Sequence, residues 1–290
     1  MTKIVDRTFE KTGLPCFICD YSPPRSGILR NANQLSIGAN FISIAHNPGQ
    51  SVRASSSMAA FKMKSLINEE VIFTMAVRDK NHLALQSELL GAQLLGLENV
   101  VVVNGDPPKY ELSTGSTTKD RLTTTKVISG ITDLNNGIDY RRSALDQSCD
   151  FCIGAAVDLG HTFNHECNLA VRKINAGAHF LITQPVFNIT KPLKLLDNIE
   201  SQTQDRYKTP IFFGLQILEP SCISFSKVPS NLTEQLERGK SGIEIALELY
   251  REFKNAGLYN IYLVPPIQKG GTRNYQATKE VLAQLKAEPL

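Results

Sequence analysis

The sequence predicts an α/β protein folded as one (β/α)8 TIM barrel, a single domain spanning residues 1–290. Three observations carry that expectation. Short apolar runs of strand length recur eight times, amphipathic stretches of helical period lie between them, and no linker or low-complexity segment divides the chain. Strict alternation of this kind builds parallel sheet, and eight units over this length favour a closed barrel over an open doubly wound sheet. No Gly-x-Gly-x-x-Gly follows an early run, which argues against a dinucleotide-type domain.

The strand runs are expected at 14–21, 41–45, 71–77, 100–103, 151–157, 179–184, 210–218 and 260–264. The clearest is the fourth, four consecutive valines from Val100 to Val103, which reads as a strand buried on both faces. Between the runs, Leu83, Leu90, Leu94 and Leu97 fall on one helical face. Cys167, Ala170, Val171 and Ile174 make a second stripe, and Ile243, Ala246, Leu247, Tyr250 and Phe253 a third. Asn164 is the expected cap at the start of the second of these helices, and Gly177 and Gly257 suit helix exits. The pairs Pro23-Pro24, Pro107-Pro108 and Pro265-Pro266 each follow a strand run, as rigid loop starts at one rim.

Charge is nearly balanced at +3, with no basic stripe carrying interleaved aromatics, so no nucleic-acid partner is expected. The amino terminus lacks a secretory apolar region, and no apolar run approaches the roughly 18 residues of a membrane span. A cytoplasmic protein without a membrane partner is the expectation. Six cysteines are too few for a disulfide scaffold. Cys16 and Cys19, like Cys149 and Cys152, have a zinc-like spacing, but that offset on a strand points the two thiols to opposite faces. His161, His165 and Cys167 read as a solvated helix start, and no metal site is expected.

In a barrel of this type the carboxyl ends of the strands carry the chemistry. They offer Asp20, then Ala45-His46-Asn47, Arg78-Asp79, Asn104-Gly105-Asp106, Val157-Asp158, Gln184, and Gln216 with Glu219. The apolar neighbours Phe17, Ile18 and Cys19 are expected to raise the pKa of Asp20 and suit it to donate a proton. The Gln184 amide could pair with the donor–acceptor edge of a heterocycle. Arg172 and Lys173 lie off the apolar face of their helix and could reach a phosphate or carboxylate. No Ser-His-Asp order, P-loop or His-Glu-x-x-His is present.

Ordered motifs then converge. They are Ile44-Ala45-His46-Asn47-Pro48, Ser51-Val52-Arg53-Ala54-Ser55, Ala76-Val77-Arg78-Asp79-Lys80-Asn81, Leu85 through Ala92, Gly105-Asp106-Pro107, Ile153-Gly154-Ala155-Ala156, Arg172 through Ala178, Ile182-Thr183-Gln184-Pro185-Val186-Phe187 and Tyr262-Leu263-Val264-Pro265-Pro266. In this order, over nearly the whole chain, they resemble the methylenetetrahydrofolate reductases, most closely the branch found alone or fused to homocysteine methyltransferases.

The resemblance implies a barrel holding FAD that passes a hydride to 5,10-methylenetetrahydrofolate and yields 5-methyltetrahydrofolate. NAD(P)H or a protein serves as electron donor, and a homo-oligomer is among the family's habits. By position it implies Asp20 and Asp106 as catalytic residues, with Gln184 and Phe187 beside the folate. It further implies Ala45, Asn47, Thr74, Asn104, Gly105, Asp106, Val157, Glu166, Arg172 and Lys173 as cofactor-binding. Several positions depart from the family pattern: Asp20 stands for a glutamate, Ala45 for a threonine, Thr74 for a histidine, Asn104 for an arginine and Val157 for a tyrosine. Leu169 replaces a polar residue. These departures motivate a second reading, a flavin-independent tetrahydrofolate-dependent methyl or C1 transferase, with a methyl donor such as a corrinoid protein.

Overall fold

Each of the eight runs becomes a strand: β1 (Cys16–Tyr21), β2 (Phe41–Ile44), β3 (Glu70–Ala76), β4 (Asn99–Val103), β5 (Cys152–Val157), β6 (Phe180–Pro185), β7 (Ile211–Gln216) and β8 (Asn260–Val264). The computed structural model describes residues 2–29, 36–78, 80–105, 122–160, 162–206 and 209–288. The strands pair in chain order, and β8 returns to lie parallel to β1, closing the barrel. The helices of the described chain are α1 (Phe9–Thr12), α2 (Ser56–Lys64), α3 (His82–Leu94), α4 (Thr124–Asn135), α5 (Phe163–Asn175), α6 (Thr190–Thr203), α7 (Ser230–Glu237), α8 (Gly242–Asn255) and α9 (Tyr275–Ala287).

Side chains alternate across the barrel wall, as the strand period of two requires. Ile18, Phe41, Ile72, Val101, Cys152, Phe180, Ile182 and Phe212 fill the interior. Val100, Val102, Ile153, Leu181, Phe213 and Ile261 face outward into the layer beneath the helices. The valine run of β4 is thus buried on both faces, as its composition predicts. Each such side chain contributes roughly 1.5–3 kcal/mol when withdrawn from water. Phe180 needs the room that Gly154 leaves on the next strand, because a Cβ there would lie 2.3 Å from its ring. The two cysteine pairs split between layers: Cys16 and Cys152 face inward, Cys19 and Cys149 outward.

The amino-terminal segment closes one end of the barrel. Ile4 is buried among the interior residues, and its backbone N–H donates to Asn99 Oδ1 at 3.0 Å. The N–H of Phe9 donates to Asn260 Oδ1 at 2.9 Å, and that of Thr2 to Glu70 Oε1 at 3.0 Å. Asn99, Asn260 and Glu70 each begin a strand, so the end left for a ligand is the carboxyl rim.

Two local expectations need correction. On α3 the core face is Leu85, Gln86, Leu89 and Ala92, whereas Leu83, Leu90 and Leu94 point outward, Leu94 being 89% exposed. The helix carries leucines on two faces, and periodicity alone does not say which one meets the sheet. At α5 the cap position falls on Thr162 rather than Asn164, which lies inside the first turn. The stripes on α5 and α8 pack as expected, and α8 opens on a capping box between Ser241 and Glu244. Gly177 and Gly257 leave their helices at φ 111° and 78°.

Candidate active site

The inward phase of each strand fixes what the rim presents. It places Asp20 on β1, Ser43 on β2, Thr74 on β3, Val103 on β4, Ala156 on β5, Gln184 on β6, Gln216 on β7 and Tyr262 on β8. Asp106, Asp79, His161 and the pair Pro107-Pro108 lie outside the described residues.

Asp20 is 3% exposed and sits in a polar cluster. Its Oδ1 accepts from the Tyr262 hydroxyl at 2.9 Å, and its Oδ2 from Arg273 Nε at 2.6 Å. The apolar setting expected from its strand neighbours is therefore absent around the carboxylate. Phe17 and Cys19 project to the opposite face of β1, and distant residues supply the surroundings. Burial and then the Asp20 carboxylate hold Tyr262 well above the ordinary tyrosine value, so it remains a neutral O–H donor. Burial would lower the Arg273 pKa, but the charge and hydrogen bond of Asp20, together with Tyr275 and Tyr262, more than offset it, and the guanidinium ends above its ordinary value.

Arg273 is brought there by the connection between β8 and α9. Residues 265–274 fold back on themselves through Gln268 N–H to Thr272 O at 2.8 Å and Asn274 N–H to Pro266 O at 3.0 Å. An antiparallel bridge from Ile267 to Ile223 ties this turn to the loop after β7. Tyr275 closes the cluster: it stacks on Tyr21 at 5.3 Å, and its hydroxyl accepts from the Ser22 N–H at 3.0 Å.

Gln184 has a different character. It is half-buried at the end of β6, and no hydrogen bond to its amide is present among the described residues. Its neighbour Gln216 is fully engaged, donating to Ile223 O at 2.8 Å and accepting from Ser224 Oγ at 2.7 Å. A shift of register between β6 and β7 accompanies this position, with Gly214 pressed against the Gln184 backbone, where a Cβ would lie at 2.7 Å. Phe187 follows, half-buried, in the loop beyond Pro185.

The residues expected around a flavin do not gather into one set. Ala45 and Thr74 occupy the rim at β2 and β3, with Asn104 exposed beyond β4. Gly105 holds φ 85° where a Cβ would come within 3.3 Å of Ala76 and Arg78. Asn47 spends its Oδ1 on the Arg53 N–H at 3.1 Å. Val157 faces away from the mouth, in the layer between barrel and helices. Arg172 lies exposed on α5. Lys173 corrects the expectation that it leaves the apolar face: it is 4% exposed, and its Nζ donates to Ala156 O at 2.6 Å. Three residues after Ala170, it shares that helix's buried side. Burial lowers its pKa despite the nearby Glu166, whose Oε2 accepts from the Asp158 N–H at 3.4 Å. A diphosphate needs cations or free N–H donors, and at these positions the described residues turn no cation toward the mouth. The described residues at these positions do not by themselves supply a diphosphate site.

Sequence reasoning missed Tyr262 and Arg273, the partners of Asp20. Tyr262 was open to the alternation argument, since it lies on the inward phase of β8. Arg273 carries no local signal, because it lies 253 residues from the carboxylate it pairs with.

A closed parallel barrel, plugged at its amino end and polar at its carboxyl rim, defines a protein of the (β/α)8 class with its site at that rim. Within the class, the model of the methylenetetrahydrofolate reductase family matches residues 10–264, and the chain belongs to that family. The solved structure of an uncharacterized protein from Clostridium thermocellum that binds two copies of 5-methyl-5,6,7,8-tetrahydrofolic acid has the same fold. Its TM-score is 0.67 at 13% identity, over 98% of this chain and 99% of that chain. Among the described residues, no helix is long and apolar enough to cross a membrane.

Proposed function

We propose that the protein binds a reduced folate at the carboxyl rim and acts on its one-carbon unit. The observation that carries this reading is Gln184: a half-buried amide at a strand end, in a barrel of this family, with its donors and acceptor unspent among the described residues. A pterin presents a matching donor–acceptor edge. The structural relative that binds 5-methyltetrahydrofolate lends the same reading support.

The reaction we put first is the family's own, reduction of 5,10-methylenetetrahydrofolate to the 5-methyl form. The bond from C1 to N10 breaks, N10 takes a proton, and C1 takes a hydride from a reduced flavin or nicotinamide, which is oxidised in turn. Asp20 is the proposed acid for N10, with Asp106 as the second catalytic carboxylate. Both Asp20 oxygens accept hydrogen bonds and one is paired with Arg273, so the Tyr262 hydroxyl must release Oδ1 and the carboxylate must take a proton from water there before it can pass one to N10.

The second reading, flavin-independent transfer of a methyl or C1 group, is favoured by the lack of a diphosphate-binding cation among the described flavin positions. A visible spectrum separates the two. Flavin bands near one equivalent support flavin reduction. A protein that stays colourless after incubation with FAD, yet binds tetrahydrofolate, removes it. Gln184→Leu tests the folate site itself: tetrahydrofolate affinity is expected to fall on the order of 10- to 100-fold by titration calorimetry with the melting temperature unchanged, because no protein partner is orphaned. Unchanged affinity would refute the pterin assignment.

A further inference from the structure

Beside the Asp20 cluster lies a cation with no counter-charge among the described residues. Arg53, in the loop between β2 and α2, is half-buried. Its Nε donates to Ser51 Oγ at 3.1 Å and its Nη1 to Pro23 O at 2.9 Å, both neutral acceptors. The remaining nitrogen, Nη2, lies against Gly271, 2.9 Å from where a Cβ on that residue would stand. The carbonyl of the same glycine accepts from Arg273 Nη1 at 3.0 Å. Two guanidinium groups therefore flank one glycine. Burial first, then the charges of Arg273 and the exposed Arg25, push the Arg53 pKa down, so both cations lie within electrostatic reach of Arg53. The carboxylate beside them among the described residues, Asp20, is already shared between Arg273 and Tyr262. Glu219, which also touches this loop, is held by Asn274 Nδ2 at 2.6 Å.

Holding a guanidinium half out of water beside two like charges is unfavourable unless an anion completes the set. The loop geometry maintains it anyway, through neutral acceptors and a glycine that makes room. We propose that Arg53, with Arg25 and Arg273 beside it, is an oxyanion subsite that receives a carboxylate of the folate's glutamate tail. The proposal rests on the folate reading. Barrel topology supports the direction: β2 and β6 are four strands apart in a ring of eight, hence on opposite sides of the mouth. A ligand with its pterin at Gln184 and its tail at Arg53 would span the opening. Phosphate groups of a dinucleotide are the other source of the same oxyanion chemistry.

The test compares tetrahydropteroate, which lacks glutamate, with tetrahydrofolate and its triglutamate, by titration calorimetry on the full chain. Wild-type protein is expected to bind tetrahydrofolate about 10-fold more tightly than tetrahydropteroate at low salt. The gap should close as ionic strength rises toward about 1 M, where the Debye length is roughly 3 Å. Arg53→Gln should erase the gap and leave tetrahydropteroate binding unchanged. Arg53→Lys, which keeps the charge but not the planar fork, should retain part of it. Equal binding of the two ligands by wild type overturns the subsite. So does an Arg53→Gln variant that weakens both ligands alike, which would mark a purely structural arginine. If Arg53→Gln weakens FAD or NADPH and leaves the folate ratio intact, the anion is a phosphate and the carboxylate assignment falls. Failure of the folate reading looks different: neither tetrahydropteroate nor tetrahydrofolate binds, and the subsite falls with it.

Discussion

Arg273 and Lys173 are both buried cations at the carboxyl rim, 7% and 4% exposed, yet the protein holds them in opposite ways. Arg273, on the β1–β8 side, is locked to a carboxylate, and its charge is favoured over the ordinary arginine. Lys173, behind β5, has one backbone carbonyl as its acceptor, and burial makes its charge less favoured than an ordinary lysine's. The first arrangement is a satisfied ion pair whose members depend on each other. The second is a cation on a neutral carbonyl, with Glu166 near enough to favour its charge but not enough to offset burial. The cation of the β1–β8 side is thus paired directly, whereas that of the β5 side is not.

The largest expected effect comes from breaking the paired side. Asp20→Asn leaves Arg273 buried without its counter-charge, and loss of about 3–5 kcal/mol of stability is expected in urea unfolding. Adding Arg273→Met to Asp20→Asn should recover most of that loss, since the orphaned charge goes and the asparagine oxygen still accepts from Tyr262. If Asp20→Asn unfolds at the wild-type urea concentration, the pair is not structural and the contrast with Lys173 collapses. Turnover supplies the second readout. Under the proposed acid role, the single and double variants are both inactive, while the double variant, refolded to near wild-type stability, still binds tetrahydrofolate. Near-normal turnover in the double variant would remove Asp20 from the chemistry.

How much of this was legible before folding follows from the range of each interaction. The strands were legible because a barrel strand is buried on both faces and writes itself as a local apolar run, as in Val100–Val103. Rim positions such as Gln184 and Asp20 follow from strand ends alone. What lies around Asp20 did not, because sequence neighbours on a strand point to the opposite face, and its real partners come from β8 and the loop beyond. The face of α3 failed for a related reason. Two leucine stripes compete on one helix, and only the sheet decides between them. Lys173 was misplaced because a charged residue was assumed to stay in water, although its long stem lets the amine reach Ala156 O from the buried side.

The β5 side gives the smaller and subtler test. Lys173→Met removes a buried ammonium and fills a similar volume with apolar atoms, and such exchanges are often neutral or stabilising by about 1 kcal/mol or more. The lost bond to Ala156 O subtracts about 1 kcal/mol, so a net change near zero is expected at neutral pH. This contrasts with Arg273→Met, which strands Asp20. The pH dependence carries the sign. The pKa of Lys173 in the folded protein is depressed below its ordinary 10.5, so between the two values the unfolded chain binds more protons. Stability from this group therefore rises as pH climbs through that window, and it is lost as pH falls through the folded value. Wild type should gain on Lys173→Met as pH rises through that window toward 10.5 in paired urea titrations. A constant difference across that range would show that Lys173 is as comfortably charged as Arg273. The two cations would then be held alike, and the contrast between the two sides would fall.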